Sequence, residues 1–177
     1  MTLFFGVKNK KNKEVLANRF LVSDRVFPQT ISVLKTRAEP LGIDVVIMPF
    51  ADFELSESTF GVLIQYPDSE GSVEDFSVLT ADAKSKEIYV TVACDLMSLA
   101  LLEAPGVWGA DCAVGNAQRF GVPMGFGGPH AAYFAISEEF KRLSPGRIIG
   151  VSVDKLGNPA LRMALQTREQ HIRREKA

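Results

Sequence analysis

The sequence predicts an α/β protein with a mostly parallel sheet and flanking helices. Continuous apolar runs at residues 43–48, 60–66 and 88–93 are typical of strands that are covered on both faces. Segments with helical spacing lie between them, and this alternation indicates βαβ units with right-handed crossovers. Open sheets of this kind bind ligands at the carboxyl ends of their strands.

Length and composition limit the chain to one domain or a large part of one. It has 177 residues, of which 46% are hydrophobic, so it can build a substantial core. The formal net charge of −1 favours neither nucleic acid nor an anionic membrane as a partner. No apolar run approaches the roughly 18 residues that a bilayer requires. We therefore expect no nucleic acid and no membrane among its partners.

Histidine and cysteine usage limits the chemistry further. With only two histidines, His130 and His171, a His-rich metal site is excluded, and no metal is expected. Cys94 and Cys112 stand in apolar settings and do not have CxxC spacing. They are predicted to be buried free thiols in a reducing compartment.

The amino-terminal part of the chain begins the predicted fold. Residues 1–19 are interpreted as a truncated opening segment and a solvated basic connector, whose lysines are Lys8, Lys10, Lys11 and Lys13. The apolar run within Arg19–Ser23 predicts a buried strand. Pro28 suits the first turn of a helix, and the apolar positions at helical spacing are Ile31, Leu34 and Leu41.

The middle of the chain is predicted to contain the next helix and strand. Ser72 with Asp75 three residues on resembles a capping box, and the buried face of the helix behind it is predicted to be Val73, Phe76 and Ala83. Asp95 follows the strand that ends at Cys94. It can cap a helix predicted over residues 96–103.

The stretch from Gly109 to His130 has the composition of a loop with a specific shape. After a short strand at residues 112–114, regular periodicity is lost. Glycine and proline then dominate, at Gly115, Gly121, Pro123, Gly125, Gly127, Gly128 and Pro129. Glycine permits positive φ and close approach, and proline fixes φ. Two interpretations remain open: a turn-rich crossover, or a loop that lines a site at the end of a strand.

Polar side chains in this loop are the candidates for a site, and they are Asn116, Gln118, Arg119 and His130. Walker and GxGxxG phosphate patterns are absent. Arg119 is the only full positive charge between Lys86 and Lys141, and such an arginine suits a carboxylate or a phosphate. The alternative is an ordinary ion pair with Asp111.

Beyond the loop, the sequence predicts a strand at residues 131–136, a short helix from Ser137 and a strand at residues 147–154. Residues 160–177 are predicted to form a truncated basic helix, which is simply exposed, docks on another part of the protein, or frames the entrance to an active site. His171 is interpreted as a surface or interface residue of this helix, not as a ligand.

Several long segments of the chain are distinctive, and they are GAD…GNAQRFGVPMGFGGPHAA, PGRIIGVSVD, ALRMALQTREQHIRREKA, PQTISVLKTRA and GVLIQYPDSEG. They resemble the glycine cleavage system P-protein family, whose activity is glycine dehydrogenase (decarboxylating). The resemblance covers nearly the whole chain and is to an interior piece of the amino-terminal half. It implies that residues 1–177 form part of one large domain of the fold-type I pyridoxal phosphate (PLP) transferases.

The resemblance also implies an activity and a set of partners. With PLP bound mainly by a catalytic partner half, such a protein releases CO2 from glycine. It then passes the aminomethyl group to the lipoyl arm of the H-protein. A dimeric full-length protein is expected, located in the cytoplasm of a bacterium or the mitochondrion of a eukaryote. The alternative is a non-catalytic scaffold that serves assembly and H-protein docking.

Site residues follow from the same resemblance. Gln118-Arg119 occupies the position of a His-Lys pair in the catalytic half, and residues 87–140 contain no lysine. Arginine cannot form the imine, so this chain alone is expected to be inactive and to hold no covalent PLP. Asp95 matches the aspartate that partners the pyridine nitrogen. The candidate active-site wall or interface consists of Asp95, Asn116, Arg119, Gly127, Gly128 and His130. One departure is Phe27, where the family usually has histidine before PQT.

Overall fold

The computed structural model describes residues 1–11, 16–144 and 147–166. The first of its two compact units, Met1–Ile136, contains a six-stranded sheet in the order β2-β1-β3-β4-β5-β6. The strands are β1 (Arg19–Ser23), β2 (Asp44–Met48), β3 (Thr59–Tyr66), β4 (Tyr89–Cys94), β5 (Cys112–Asn116) and β6 (Ala132–Ile136). All neighbouring pairs are parallel except β5 with β6. The predicted α/β fold is confirmed, and each of these strands lies where the sequence places it.

Helices α1 (Thr2–Lys11), α2 (Pro28–Ala38) and α3 (Ser77–Ser85) accompany this sheet. Pro28 begins α2, as predicted. The predicted capping box at Ser72 is wrong, because α3 begins at Ser77 and the Ser77 N–H donates to Asp75 Oδ1 at 2.9 Å. The Ser72 N–H instead donates to Asp68 Oδ1 at 2.8 Å.

The core lies around β3 and β4, which are buried along their whole length. Its centre is aromatic: Phe76 contacts Phe50, Tyr66 and Trp108, with ring centroids 5.2, 6.3 and 6.0 Å away. Phe76 and Ala83 are buried as predicted, whereas Val73 is exposed. Strands that are buried on both faces explain why their sequences are continuous apolar runs.

The opening segment is more ordered than the sequence suggests. Residues 2–11 form α1, and Lys8 is buried, so the prediction of a solvated connector is wrong there. The Lys8 ammonium donates to the carbonyls of Lys86 and Glu87 at 3.1 and 3.0 Å. Hydrogen bonds of this kind compensate for the loss of hydration of a buried ammonium. Lys13 lies outside the described residues.

The second compact unit begins at Ser137 and contains an antiparallel pair, β7 (Arg147–Val153) and β8 (Pro159–Gln166). The predicted strand at 147–154 is confirmed. The predicted helix is wrong for residues 160–166, which form β8, and residues 167–177, with His171, lie outside the described residues. Leu161 and Leu165 misled the prediction, because apolar residues four positions apart occur in strands as well as in helices. The assignment of residues 1–177 to one domain stays a prediction.

Both cysteines are buried and free, as predicted. Burial is the main cause that raises the pKa of the Cys112 thiol to about 11 and that raises the pKa of Cys94. Thiols with raised pKa values carry little thiolate at neutral pH and are poor nucleophiles. Neither residue is therefore a candidate catalytic group.

Candidate functional site

Residues 117–131 form a loop between β5 and β6 at the carboxyl end of β5. The Ala117 N–H donates to the Ala131 carbonyl at 2.9 Å, directly beyond the paired residues Asn116 and Ala132. Short 3₁₀ turns lie at Gln118–Phe120 and Gly125–Gly127. The loop is therefore closed at its base by the sheet, and Gly127 belongs to its second turn.

Three of the predicted polar side chains bond within this loop. Asn116 Oδ1 accepts from the Gln118 N–H at 3.0 Å, and Gln118 Nε2 donates to the Val122 carbonyl at 3.1 Å. His130 Nδ1 donates to the Gly128 carbonyl at 2.8 Å. These hydrogen bonds hold the loop in shape.

Gly128 is the loop position where the backbone conformation and the close approach of Gln118 most clearly require a glycine. Its φ is +82°, and a Cβ there would stand 3.3 Å from Gln118 Nε2. Glycine reaches positive φ without steric cost, so Gly128 allows the chain to fold back over Gln118.

Arg119 and Asp95 are brought together, although 24 residues separate them. Arg119 Nη1 lies 2.5 Å from Asp95 Oδ2, with the Arg119 side chain 67% exposed and that of Asp95 19% exposed. The alternative partner, Asp111, is not the one observed, because its Oδ2 accepts from the Val90 N–H at 2.7 Å. The ion pair links the end of β4 to the loop that follows β5.

Asp95 also caps the turn that follows β4. Its Oδ1 accepts from the Met97 N–H at 3.1 Å, and the turn is a 3₁₀ helix at Leu96–Ala100 in place of the predicted longer helix. The Asp95 N–H donates to the Tyr66 carbonyl at 3.0 Å. One carboxylate thus serves as a helix cap, as predicted, and also as the partner of Arg119, which the sequence did not predict.

Gly115 and Tyr133 form a contact that the sequence interpretation missed. The Tyr133 hydroxyl donates to the Cys94 carbonyl at 2.7 Å and crosses over Gly115. A Cβ on Gly115 would stand 2.2 Å from that carbonyl oxygen and 2.6 Å from Tyr133 Cε1. Burial is the main cause that raises the pKa of Tyr133, so its hydroxyl stays protonated and keeps donating. A glycine inside a strand is the signal that could have revealed this close approach.

The described part of the chain holds neither a candidate metal cluster nor a helix that could span a membrane. Residues 1–11, 16–144 and 147–166 contain no group of three or more histidine, cysteine or acidic side chains placed to hold a metal ion. In the same residues, no helix has both the length and the apolar character needed to cross a bilayer.

The fold defines the class. A mostly parallel sheet with flanking helices is the fold of the large domain of fold-type I PLP-dependent enzymes. The chain matches an O-acetylhomoserine sulfhydrylase of Wolinella succinogenes over 67% of its length with a TM-score of 0.54. At 19% identity this likeness shows the fold alone.

The chain belongs to the glycine cleavage system P-protein family, whose model matches residues 1–177. It is 54% identical to the glycine dehydrogenase (decarboxylating) of Flavobacterium johnsoniae and 56% identical to that of Nostoc punctiforme, over all 177 residues. It spans 19% and 18% of the length of these relatives. A solved glycine decarboxylase (P-protein) in inhibitor-bound form matches 99% of the chain at 33% identity, with a TM-score of 0.80. The chain covers 40% of that solved chain.

The segment that carries this loop does not fit covalently held PLP. A Schiff base needs a lysine, and residues 87–140 contain none. Arg119, at the position where the resemblance expects the lysine, is already bonded to Asp95. Asp95, the expected partner of a pyridine nitrogen, accepts from the Met97 N–H with Oδ1 and pairs with Arg119 through Oδ2. Both positions expected to contact the cofactor therefore have partners within this chain.

Proposed function

We propose that this chain is a segment of a PLP-dependent glycine dehydrogenase (decarboxylating), inactive by itself, that lines the active site or the interface with the catalytic half. The full-length protein releases CO2 from glycine and passes the aminomethyl group to the lipoyl arm of the H-protein. The single observation that carries the proposal is the Arg119–Asp95 ion pair, found within a chain of this family. It occupies both positions that a cofactor-holding half would need.

In this division of labour, a partner half of the same protein binds PLP and glycine. This chain supplies a wall or interface made of Asp95, Asn116, Arg119, Gly127, Gly128 and His130. The support is the placement of these residues in and beside one loop at the carboxyl edge of the sheet. Such an edge is where open α/β sheets meet ligands and neighbouring elements.

Borohydride reduction of the full-length protein with PLP is expected to place the pyridoxyl-lysine outside these 177 residues. Reduction converts the imine to a stable amine, and peptide mapping by mass spectrometry then locates the lysine. A sample without borohydride is the control. A pyridoxyl group on any lysine within this chain would overturn the proposal.

The Arg119→Gln variant separates the proposed enzyme role from the scaffold alternative. Because Arg119 is largely exposed, loss of its ion pair should cost at most about 1 kcal/mol of stability. We expect isotopic exchange between bicarbonate and the glycine carboxyl to fall about tenfold, a loss of about 1.4 kcal/mol in the transition state. Assembly, measured by sedimentation, should not change.

The controls for this experiment are two further variants. Arg119→Lys keeps a cation beside Asp95 and should restore most of the exchange rate, whereas Arg142→Gln removes an exposed arginine elsewhere and should change nothing. If assembly is lost in Arg119→Gln and the remaining assembled protein turns over normally, the scaffold role replaces the enzyme role.

Dimeric assembly and cellular location also belong to the proposal. Membership of the P-protein family supports a dimeric full-length protein that works with a lipoylated H-protein. Its compartment would be the cytoplasm in a bacterium and the mitochondrion in a eukaryote.

A further inference from the structure

Three large apolar side chains project from the loop at residues 117–131. Phe120 is 59% exposed, Met124 is 83% exposed, and Phe126 is fully exposed. We call Phe120, Met124 and Phe126 the apolar platform. Apolar side chains that are exposed singly are ordinary, but three within a seven-residue segment form a group that commonly marks an interaction surface.

The backbone of the loop holds this platform in an unfavourable conformation. Phe126 has φ of 53° and ψ of 39°, a left-handed region that bulky side chains rarely adopt. The Phe126 ring is not buried in this chain, so packing within the chain does not offset the free-energy cost of its left-handed backbone. Strained backbone persists where it serves a function, and here the observable result is an aromatic ring presented outward.

The loop is also shaped in advance of any contact. The Gln118 side chain bonds to Val122, and the Arg119–Asp95 pair ties the loop to the end of β4. A surface that is already ordered loses less conformational entropy on binding. Two contacts within the chain therefore hold the segment that carries the platform.

The charge around the platform is close to neutral. Arg119 is the only full charge in residues 112–137, and Asp95 neutralises it. An uncharged apolar surface binds by burial of area, and salt does not screen that contribution. The surface that complements it should likewise be apolar.

We propose that the apolar platform docks on the part of the same protein that lies outside these 177 residues. The length of that part argues for it, because the chain spans only 18–19% of the curated relatives it matches. Even in the solved P-protein, whose chain is shorter, 60% lies outside the matched region. The inference rests on the chain working as a segment of a longer protein, as proposed above, and names which surface meets the remainder.

Oxidation of Met124 in the full-length protein tests this docking. Hydroxyl radicals oxidise an accessible methionine sulfur, and mass spectrometry measures the rate. We expect Met124 to react at least about tenfold more slowly in the native protein than in the urea-unfolded protein, because a docked methionine is covered by its partner. The protection should be the same at 0.05 and 0.5 M salt, where the Debye lengths are about 13 and 4 Å, because an apolar contact is not screened by salt. A native rate within about twofold of the unfolded rate would overturn the proposal.

Protein concentration identifies the occupant. Docking within one protein is independent of dilution, so Met124 protection should be constant over a hundredfold dilution. Protection that disappears on dilution would assign the platform to a second copy and overturn the proposal as stated.

A Phe126→Asn variant tests the platform itself. Asparagine tolerates positive φ, so the loop should keep its shape while the aromatic contact is lost. In the full-length protein we expect Met124 to oxidise about fivefold faster or more, because aromatic anchors dominate docking surfaces. The matched control is Val78→Asn, which removes an exposed apolar side chain from α3 and should leave Met124 protected. Equal Met124 rates in wild type and Phe126→Asn would contradict the role of Phe126.

Failure of this inference and failure of the proposed function are distinguishable. The glycine exchange assay is run on the same samples. If Met124 is protected but the protein does not exchange bicarbonate with glycine, the docking proposal stands and the proposed function is wrong. If the protein exchanges carbon but Met124 reacts freely, the proposed function stands and the docking proposal is wrong.

Discussion

Replacement of Gly115 with alanine is expected to lower the free energy of unfolding by about 3 kcal/mol or more. The added Cβ would stand 2.2 Å from the Cys94 carbonyl oxygen, which belongs to the backbone of the neighbouring strand and cannot rotate away. It would also stand 2.6 Å from the Tyr133 ring. Either β5 moves away from β4 or the Tyr133–Cys94 hydrogen bond breaks, and both changes disturb the sheet beneath the loop.

Urea denaturation of the 177-residue chain, followed by the fluorescence of its single tryptophan, Trp108, measures this effect. The matched control is Gly125→Ala in the same loop, where an added Cβ meets nothing within 4 Å. That variant should change stability by at most about 0.5 kcal/mol. If the two alanine variants unfold at the same urea concentration, the close approach at Gly115 does not constrain the fold.

Replacement of Phe76 with alanine should lower the free energy of unfolding by about 3–5 kcal/mol. Phe76 is 4% exposed and contacts three other aromatic rings, those of Phe50, Tyr66 and Trp108. The smaller side chain loses the burial of its ring and leaves a cavity that these rigid neighbours cannot fill. The loss should also reach the site indirectly, because the Tyr66 carbonyl accepts from the Asp95 N–H.

The same urea titration checks this prediction, with circular dichroism as the probe, because Trp108 itself packs on Phe76. Val78→Ala, two residues further on, is the control, since Val78 is exposed and should contribute within about 0.5 kcal/mol. A Phe76→Ala variant as stable as the Val78→Ala control would show that the aromatic cluster is not the core of this unit.

Much of the fold could be predicted because buried parallel strands leave an unambiguous signal. The runs that became β3 and β4 are apolar at successive positions, which only two-sided burial requires. The apolar pattern fails as a signal where the same residue spacing fits both a helix and a strand. Leu161 and Leu165 fit a helical stripe, yet the register with β7 makes them residues of a strand.

The burial of Lys8 could not be predicted, for a different reason. Lysine is almost always exposed, and the carbonyls that accept from Lys8 belong to Lys86 and Glu87, far along the chain. No local pattern contains that information. Sequence separation likewise concealed the contact of Tyr133 with Gly115, although a glycine within a strand was a visible clue.

The residues of the candidate site could be predicted from the sequence, but the contacts among them could not. Asp95 and Arg119 stood out as a charge at a strand end and as an isolated cation in a glycine-rich loop. The sequence left Asp111 as the alternative partner of Arg119, because the choice depends on which strand ends are neighbours. Once β4 and β5 pair in parallel, Asp95 lies at the same edge as the loop, and the ion pair follows.

The strand order has a consequence for how the chain acquires its shape during synthesis. β1 lies between β2 and β3, so its second neighbour is complete only when the ribosome has passed residue 66. Each parallel pairing must close a crossover before it gains a ladder of hydrogen bonds, which makes such sheets slow to fold. β5 and β6 join last, and the loop between them is ordered only after their pairing. The apolar platform is thus among the last surfaces of this unit to form on the nascent chain.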